Sequence, residues 1–119
     1  MPIKSAKKIA LHCAEAALNK KANDVVILEM KKLTDMTDYF VICSGTSDVQ
    51  IRAIADAIDE LATKEKFKIH HIEGYEWGNW ILIDLCDVII HIFYEETRKF
   101  YDLEGLWTDA KVIEHNARS

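Results

Sequence analysis

Carboxylates, histidines and cysteines are the side chains of this chain that could do chemistry. Two of the carboxylates, Asp84 and Asp87, flank a short polar break between two apolar runs. A pair of carboxylates held close together is a usual feature of metal-assisted phosphoryl transfer. A catalytic interpretation of this pair requires further metal ligands from elsewhere in the chain.

The spacing of the histidines in the sequence does not fit a metal site. His70 and His71 are adjacent, so on a strand their side chains point to opposite faces and cannot hold one ion together. His91 lies inside an apolar run. There it is either a core histidine bonded to a neighbour or an orienting group at a binding surface. We therefore expect no metal ion and no other cofactor.

The three cysteines indicate reduced thiols. Cys13, Cys43 and Cys86 are odd in number and far apart, which argues against a disulfide framework and for a cytoplasmic protein. Cys43 falls inside an apolar strand pattern and is predicted to be a small core residue. The chain has no apolar run of about 18 residues and no signal peptide at its start, so we expect no membrane association.

A polar turn at residues 44–48, Ser-Gly-Thr-Ser-Asp, permits two interpretations. Ser47 with Gln50 three residues later fits a capping box that begins a helix. A glycine-containing turn between a strand and a helix can also bind phosphate. Gly45 is the only glycine in this turn, and no lysine lies nearby to bind a phosphate. The pattern therefore favours the helix cap over a phosphate site.

The elements that must position these residues follow from the apolar periodicity. Ser5 is predicted to cap a helix that ends near Lys20. A second helix is predicted across residues 51–62, where apolar residues recur at three- and four-residue intervals. The predicted strands lie at residues 25–28, 39–43 and 67–72, the last nearer the sheet edge, and a turn-rich loop with two aromatic residues follows at 73–79.

The stretch from Trp80 to Trp107 is the most informative part of the chain. Two apolar runs at residues 80–84 and 88–94 predict a hairpin that is covered on both faces. Beyond Tyr94 the apolar period changes to that of a helix. The complete order, α-β-β-α-β-β-β-α, predicts one α/β (α+β) domain with helices packed on a mixed sheet of about five strands. Its core is expected at about residues 5–110, and 111–119 is expected to be a frayed tail.

This stretch resembles the signature of the Iojap family of ribosomal silencing factors. The matching residues read Asp84-Leu-x-Asp87-Val-Ile-Ile-His91-Ile-Phe, and then Glu-x-x-Arg98-x-Phe-Tyr-x-Leu-Glu-x-Leu-Trp107. The block at residues 37–47, Thr-Asp-Tyr-Phe-Val-Ile-Cys-Ser-Gly-Thr-Ser, extends the resemblance. One departure is Cys86, at a turn position where the family usually has glycine, which tolerates positive φ better.

The resemblance implies a fold similar to that of nucleotidyltransferases. Those enzymes need a Gly-Ser turn followed by two aspartates separated by one residue. The turn at Gly45 echoes this motif, but residues 49–52, Val-Gln-Ile-Arg, lack the aspartate pair. We therefore expect no enzyme, because a shared fold does not carry the site with it. A metal-dependent nucleotidyltransferase acting on a nucleotide or an RNA end is the alternative.

The resemblance further implies a factor that binds the large ribosomal subunit through its universal ribosomal protein fourteen. The resemblance implies that such a factor, in that position, blocks joining of the small subunit and represses translation, and it also implies a role in late assembly of the large subunit. The family also suggests a homodimer in the free state.

The distribution of charge is consistent with a basic protein partner. Residues 72–109 contain nine acids and two bases, a net charge of −7, whereas residues 1–71 are nearly neutral. Such a surface attracts basic proteins and repels bare RNA, although a solvated face is the simpler explanation. The predicted partner-binding residues are His71, Glu76, Trp77, Trp80, Glu95, Glu96, Tyr101 and Asp102. The alternative is that Trp80 and Tyr101 belong to the core.

Overall fold

The computed structural model of the chain describes residues 5–115. Four helices and six strands alternate along this part of the chain. In order they are α1 (Ala6–Asn19), β1 (Asn23–Glu29), β2 (Tyr39–Gly45), α2 (Asp48–Glu65), β3 (His71–Glu73), β4 (Trp80–Asp84), β5 (Val88–Tyr94), α3 (Glu95–Tyr101), α4 (Leu103–Leu106) and β6 (Lys111–Ile113).

Both long helices begin at the serines that the sequence indicates. The Ser5 hydroxyl accepts a hydrogen bond from Lys8 N at 3.4 Å, and the Ser47 hydroxyl accepts one from Gln50 N at 3.1 Å. These bonds satisfy backbone donors that have no partner within the helix. Ser47 therefore caps the helix as predicted, but the capping box is incomplete, because the Gln50 side chain accepts a hydrogen bond from Thr46 N at 2.8 Å instead of from the amide of Ser47.

The six strands form one mixed sheet in the order β3-β4-β5-β2-β1-β6. The two central strands, β2 and β5, run parallel, and every other neighbouring pair is antiparallel. The prediction of an α+β domain with a mixed sheet is confirmed. The strand predicted at residues 67–72 does lie at the sheet edge, but it is shorter than predicted, because β3 begins only at His71 and residues 67–70 form no strand. The prediction of about five strands was one short.

The sixth strand lies in the segment that was predicted to be a tail. Lys111–Ile113 pairs antiparallel with β1, placing Val112 opposite Leu28, so a frayed tail from residue 111 is wrong for these three residues. The strand was missed because it is short and two of its three side chains are exposed. Residues 116–119 lie outside the described residues.

The two faces of the sheet are covered differently. Helices α1 and α2 pack on one face, over strand residues that include Val41, Cys43, Ile81, Ile83, Ile90 and Ile92. The opposite face carries a smaller apolar cluster around Phe40, Ile42 and Phe93, against which Leu103 and Trp107 pack from the C-terminal helical region. Cys43 is completely buried, as predicted.

The helix predicted beyond Tyr94 is divided into two. Asp102 has a φ of 47° and ends α3, while its side chain caps α4 by accepting a hydrogen bond from Gly105 N at 3.2 Å. The apolar period that suggested one buried helix face is misleading here, because Phe100 is 81% exposed and Leu106 is 73% exposed.

Candidate partner-binding surface

The carboxylates and histidines with catalytic or metal-binding potential are not gathered into a site. Across residues 5–115, no group of three or more His, Cys, Asp or Glu side chains is placed to hold a metal ion. Asp84 Oδ1 instead accepts a hydrogen bond from Cys86 N at 2.8 Å and stabilises the hairpin turn. The amide of Thr46, in the Gly45 turn, donates to Gln50 Oε1 at 2.8 Å.

A groove lies between the loop at residues 74–79 and α3, and we call it the aromatic groove. It has a volume of about 480 Å³. Trp77 and Tyr101 are both exposed there, at 59% and 45%. The lining residues are Trp77, Asn79, Tyr94, Glu96, Thr97, Phe100 and Tyr101. One carboxylate and no basic side chain is among these described residues, so the groove combines aromatic rings with negative charge.

Helix α2 holds the loop that presents Trp77. Arg52 Nε donates to the carbonyl of Tyr75 at 2.9 Å, and its Nη2 donates to the carbonyl of Glu76 at 2.9 Å. Tyr75 Oη donates to Asp56 at 2.9 Å, and this bond raises the pKa of the phenol. The loop is thus fixed on both sides of Glu76, and Trp77 is exposed on a supported backbone.

Trp80 lies beside the groove and is half buried. Its ring packs 4.8 Å from the ring of Phe93 and 4.9 Å from that of Tyr101. Its Nε1 donates a hydrogen bond to Nδ1 of the buried His91 at 3.1 Å. Burial lowers the pKa of His91 to about 4, so this ring is neutral at physiological pH. The prediction of a core histidine bonded to a neighbour is confirmed.

Glu95 and Glu96 are adjacent at the start of α3 but face different surroundings. Glu96 lines the aromatic groove. Glu95 accepts a hydrogen bond from Asn23 Nδ2 at 2.7 Å and lines a second cleft together with Arg98 and Asp102. Asp102 is also committed to capping α4. Only one of the two glutamates is therefore available to a partner in the groove.

His71 lies away from the groove. On β3 it pairs with Asp84, at the end of β4 remote from Trp80, and its Nε2 lies 3.1 Å from a carboxylate oxygen of Glu73. The structure thus brings together Trp77, Glu96 and Tyr101 in the groove, with Trp80 beside it and Glu76 on the supporting loop. His71, Glu95 and Asp102 lie elsewhere.

Arg98 is a structural residue that the sequence analysis did not single out. Its buried guanidinium donates to both carboxylate oxygens of Glu104, at 3.1 and 2.7 Å. It also donates to the Ser44 hydroxyl at 3.1 Å. These bonds fasten α3 and α4 to β2. The motif that contains Arg98 and Glu104 signalled their presence, but their contact crosses the helix break, which the periodicity did not reveal.

The sheet order and the two kinds of helical cover define the protein as a single α+β domain with one mixed sheet. Residues 3–119 match the family described as ribosomal silencing factor during starvation. The chain belongs to this family.

Individual proteins agree with this assignment. The ribosomal silencing factor RsfS of Halalkalibacterium halodurans is 44% identical over 96 residues, which cover 81% of this chain and 82% of that protein. A crystal structure of a Chromobacterium violaceum protein superimposes with a TM-score of 0.86 at 28% identity, covering 98% of this chain and 92% of that one. The mouse protein named mitochondrial assembly of ribosomal large subunit protein 1 is 33% identical over 75% of this chain and 40% of its own length.

Proposed function

We propose that this protein silences ribosomes by binding the large subunit through its universal ribosomal protein fourteen. Membership of the ribosomal silencing factor family supports the ribosome as target. The partner is a basic ribosomal protein, and RNA contributes little to binding. The bound domain occupies the surface that the small subunit must approach, so translation is repressed by steric exclusion in the cytoplasm and no catalysis or cofactor is needed.

The aromatic groove is the observation that carries this proposal. Exposed tryptophan and tyrosine side chains are the residue types that most often dominate protein interfaces. The rings of Trp77 and Tyr101 and the carboxylate of Glu96 suit a lysine or arginine side chain, because a cation is attracted both by ring faces and by negative charge. The phosphate backbone of RNA is negatively charged, and residues 72–109 carry a net charge of −7. This surface therefore repels RNA.

A role in late assembly of the large subunit is the second candidate function. The name of the mouse relative, which includes assembly of the ribosomal large subunit, supports it. Both roles use the same contact, since a protein that binds the joining surface can act on an immature or a mature subunit. A strain depleted of the protein should then accumulate incomplete large subunits.

A homodimer in the free state is part of the same proposal. Phe100 and Leu106 expose large apolar side chains on α3 and α4, and such surface is stabilised by association. If the dimer covers the aromatic groove, binding to the large subunit must separate the two copies. Light scattering that gives the monomer mass of 13.7 kDa in concentrated samples would refute the dimer.

The decisive experiment is co-sedimentation of the protein with isolated large subunits and then with the isolated ribosomal protein fourteen. We expect both to capture the parent chain, and we expect the Trp77→Ala variant to be captured at least about tenfold more weakly, as for a lost interface anchor. In a subunit-joining assay the parent should keep small and large subunits apart. Normal joining at saturating protein, or capture by large subunits lacking protein fourteen, contradicts the proposal.

A further inference from the structure

A thiol and an imidazole lie in contact at the turn between β4 and β5. Cys86 Sγ is 3.0 Å from Nε2 of His70, and both residues are exposed. This pair is at the end of the hairpin remote from the aromatic groove, because β4 runs from Trp80 towards the turn. The pair is therefore separate from the aromatic groove of the proposed function.

The other two cysteines are unsuited to react. Cys13 and Cys43 are completely buried, and burial raises the pKa of each thiol to about 12. Reactivity of a cysteine requires access and conversion to the thiolate. Cys86 has the access that the two core cysteines lack.

The backbone holds the thiol and the imidazole together. Asp84 binds both residues, since its Oδ1 accepts from Cys86 N at 2.8 Å and its carbonyl accepts from His70 N at 2.8 Å. Leu85 N donates to the carbonyl of Val88 at 2.9 Å and closes the turn. Cys86 itself has a φ of 74°, a conformation that glycine adopts more readily. These bonds hold the backbones of His70 and Cys86 close enough for Sγ and Nε2 to be in contact.

We propose that Cys86 and His70 form a reactive pair that exchanges with low-molecular-weight disulfides, so that Cys86 is a site of reversible mixed-disulfide formation. The Cys86 thiol gives its proton to His70 Nε2. Its sulfur then attacks one sulfur of the disulfide, forming a new S–S bond as the old one breaks. The leaving thiolate takes the proton from His70, so one thiol and one disulfide give one mixed disulfide and one thiol.

Glutathione disulfide and mass spectrometry of the folded, full-length protein test this inference. We expect one adduct per chain, located on Cys86 by peptide mapping and removed by dithiothreitol. The Cys86→Ser variant should form none. His70→Ala should lower the second-order rate of adduct formation by at least about tenfold.

A neighbouring histidine provides the matched control. His71 pairs with Glu73 and Asp84 and makes no hydrogen bond to Cys86 in the described residues, so His71→Ala should react at the parent rate. Circular dichroism verifies that each variant is folded. If His70→Ala does not fold, His70→Gln replaces it in the rate measurement. An unchanged rate in a folded His70 variant, an equal loss in His71→Ala, or an adduct on Cys13 or Cys43 overturns the proposal.

Discussion

The indole Nε1 of Trp80 donates a hydrogen bond to Nδ1 of His91 at 3.1 Å. The acceptor role of Nδ1 places the single proton of the neutral imidazole on Nε2. The two residues lie on neighbouring antiparallel strands, where Trp80 pairs with Phe93 and His91 pairs with Leu82. The orientation of Trp80 is therefore set by contacts within the fold, which supports the core alternative for this residue over that of a partner anchor.

The buried His91 makes stability depend on pH. Burial lowers the pKa of its ring from 6.5 to about 4. Between these pH values the unfolded chain binds a proton that the folded chain does not, so stability is lost as the pH falls from about 6.5 towards 4. We expect this group to contribute a loss of about 3 kcal/mol across that range.

The variant His91→Gln isolates this effect from that of other groups. Glutamine retains an acceptor for the Trp80 N–H but does not titrate. Urea denaturation at several pH values between 4 and 7 should give a shallower loss of unfolding free energy in the variant than in the parent. Equal slopes would show that His91 does not titrate on unfolding.

Truncation of Trp80, on β4, should destabilise the fold much more than truncation of Trp77, on the preceding loop. Trp80→Ala removes a half-buried ring packed on Phe93 and Tyr101 and should cost about 3 kcal/mol of unfolding free energy. Trp77 is 59% exposed, so Trp77→Ala should cost about 0.5 kcal/mol or less. Denaturant midpoints measure both. A large stability loss for Trp77→Ala would place that ring in the core and remove it from the binding surface.

Replacement of Cys86 by glycine should stabilise the fold. Cys86 has a φ of 74°, and a left-handed conformation costs a residue with a Cβ about 1 kcal/mol more than it costs glycine. The bond between Cys86 N and Asp84 Oδ1 does not need the thiol and should persist. We expect the denaturant midpoint of Cys86→Gly to rise.

The control for this substitution is Asp102→Gly. Asp102 also has a positive φ, 47°, but its side chain caps α4 through Gly105 N. Loss of that cap should cancel the backbone gain, since a cap contributes about 1 kcal/mol. A lower midpoint for Cys86→Gly than for the parent would show that the thiol–imidazole contact outweighs the backbone strain.

Local signals in the sequence predicted most of the fold but less of the surface. The helix caps at Ser5 and Ser47 and the apolar runs of β2 and β5 are local signals, because each depends only on residues close by in the sequence. The helices and strands that they mark were therefore predicted. The pairing of β6 with β1 is a long-range contact of a short, exposed strand and leaves no periodic pattern. Glu95 and Glu96 have different surroundings, because Glu95 is bound by Asn23, 72 residues away in the sequence. Adjacency in sequence could not reveal which glutamate faces the groove.

The last prediction uses this difference between the two glutamates. Glu96 lines the aromatic groove, whereas Glu95 is held by Asn23 at 2.7 Å. Glu96→Lys reverses a charge that the proposed basic partner approaches, so we expect the association rate with large subunits to fall severalfold at low salt. The difference should shrink as salt screens the charges. Stopped-flow or surface-based kinetics at several salt concentrations measure the rate.

Glu60→Lys is the matched control, because Glu60 is exposed on α2 and does not line the groove. It changes the net charge of the chain by the same amount, so it separates a local effect from general attraction. Folding should change little in either variant, by about 1 kcal/mol or less for Glu96→Lys at the start of α3. Equal association rates for the two variants, or a salt-independent loss for Glu96→Lys, would place the basic partner on another surface of the domain.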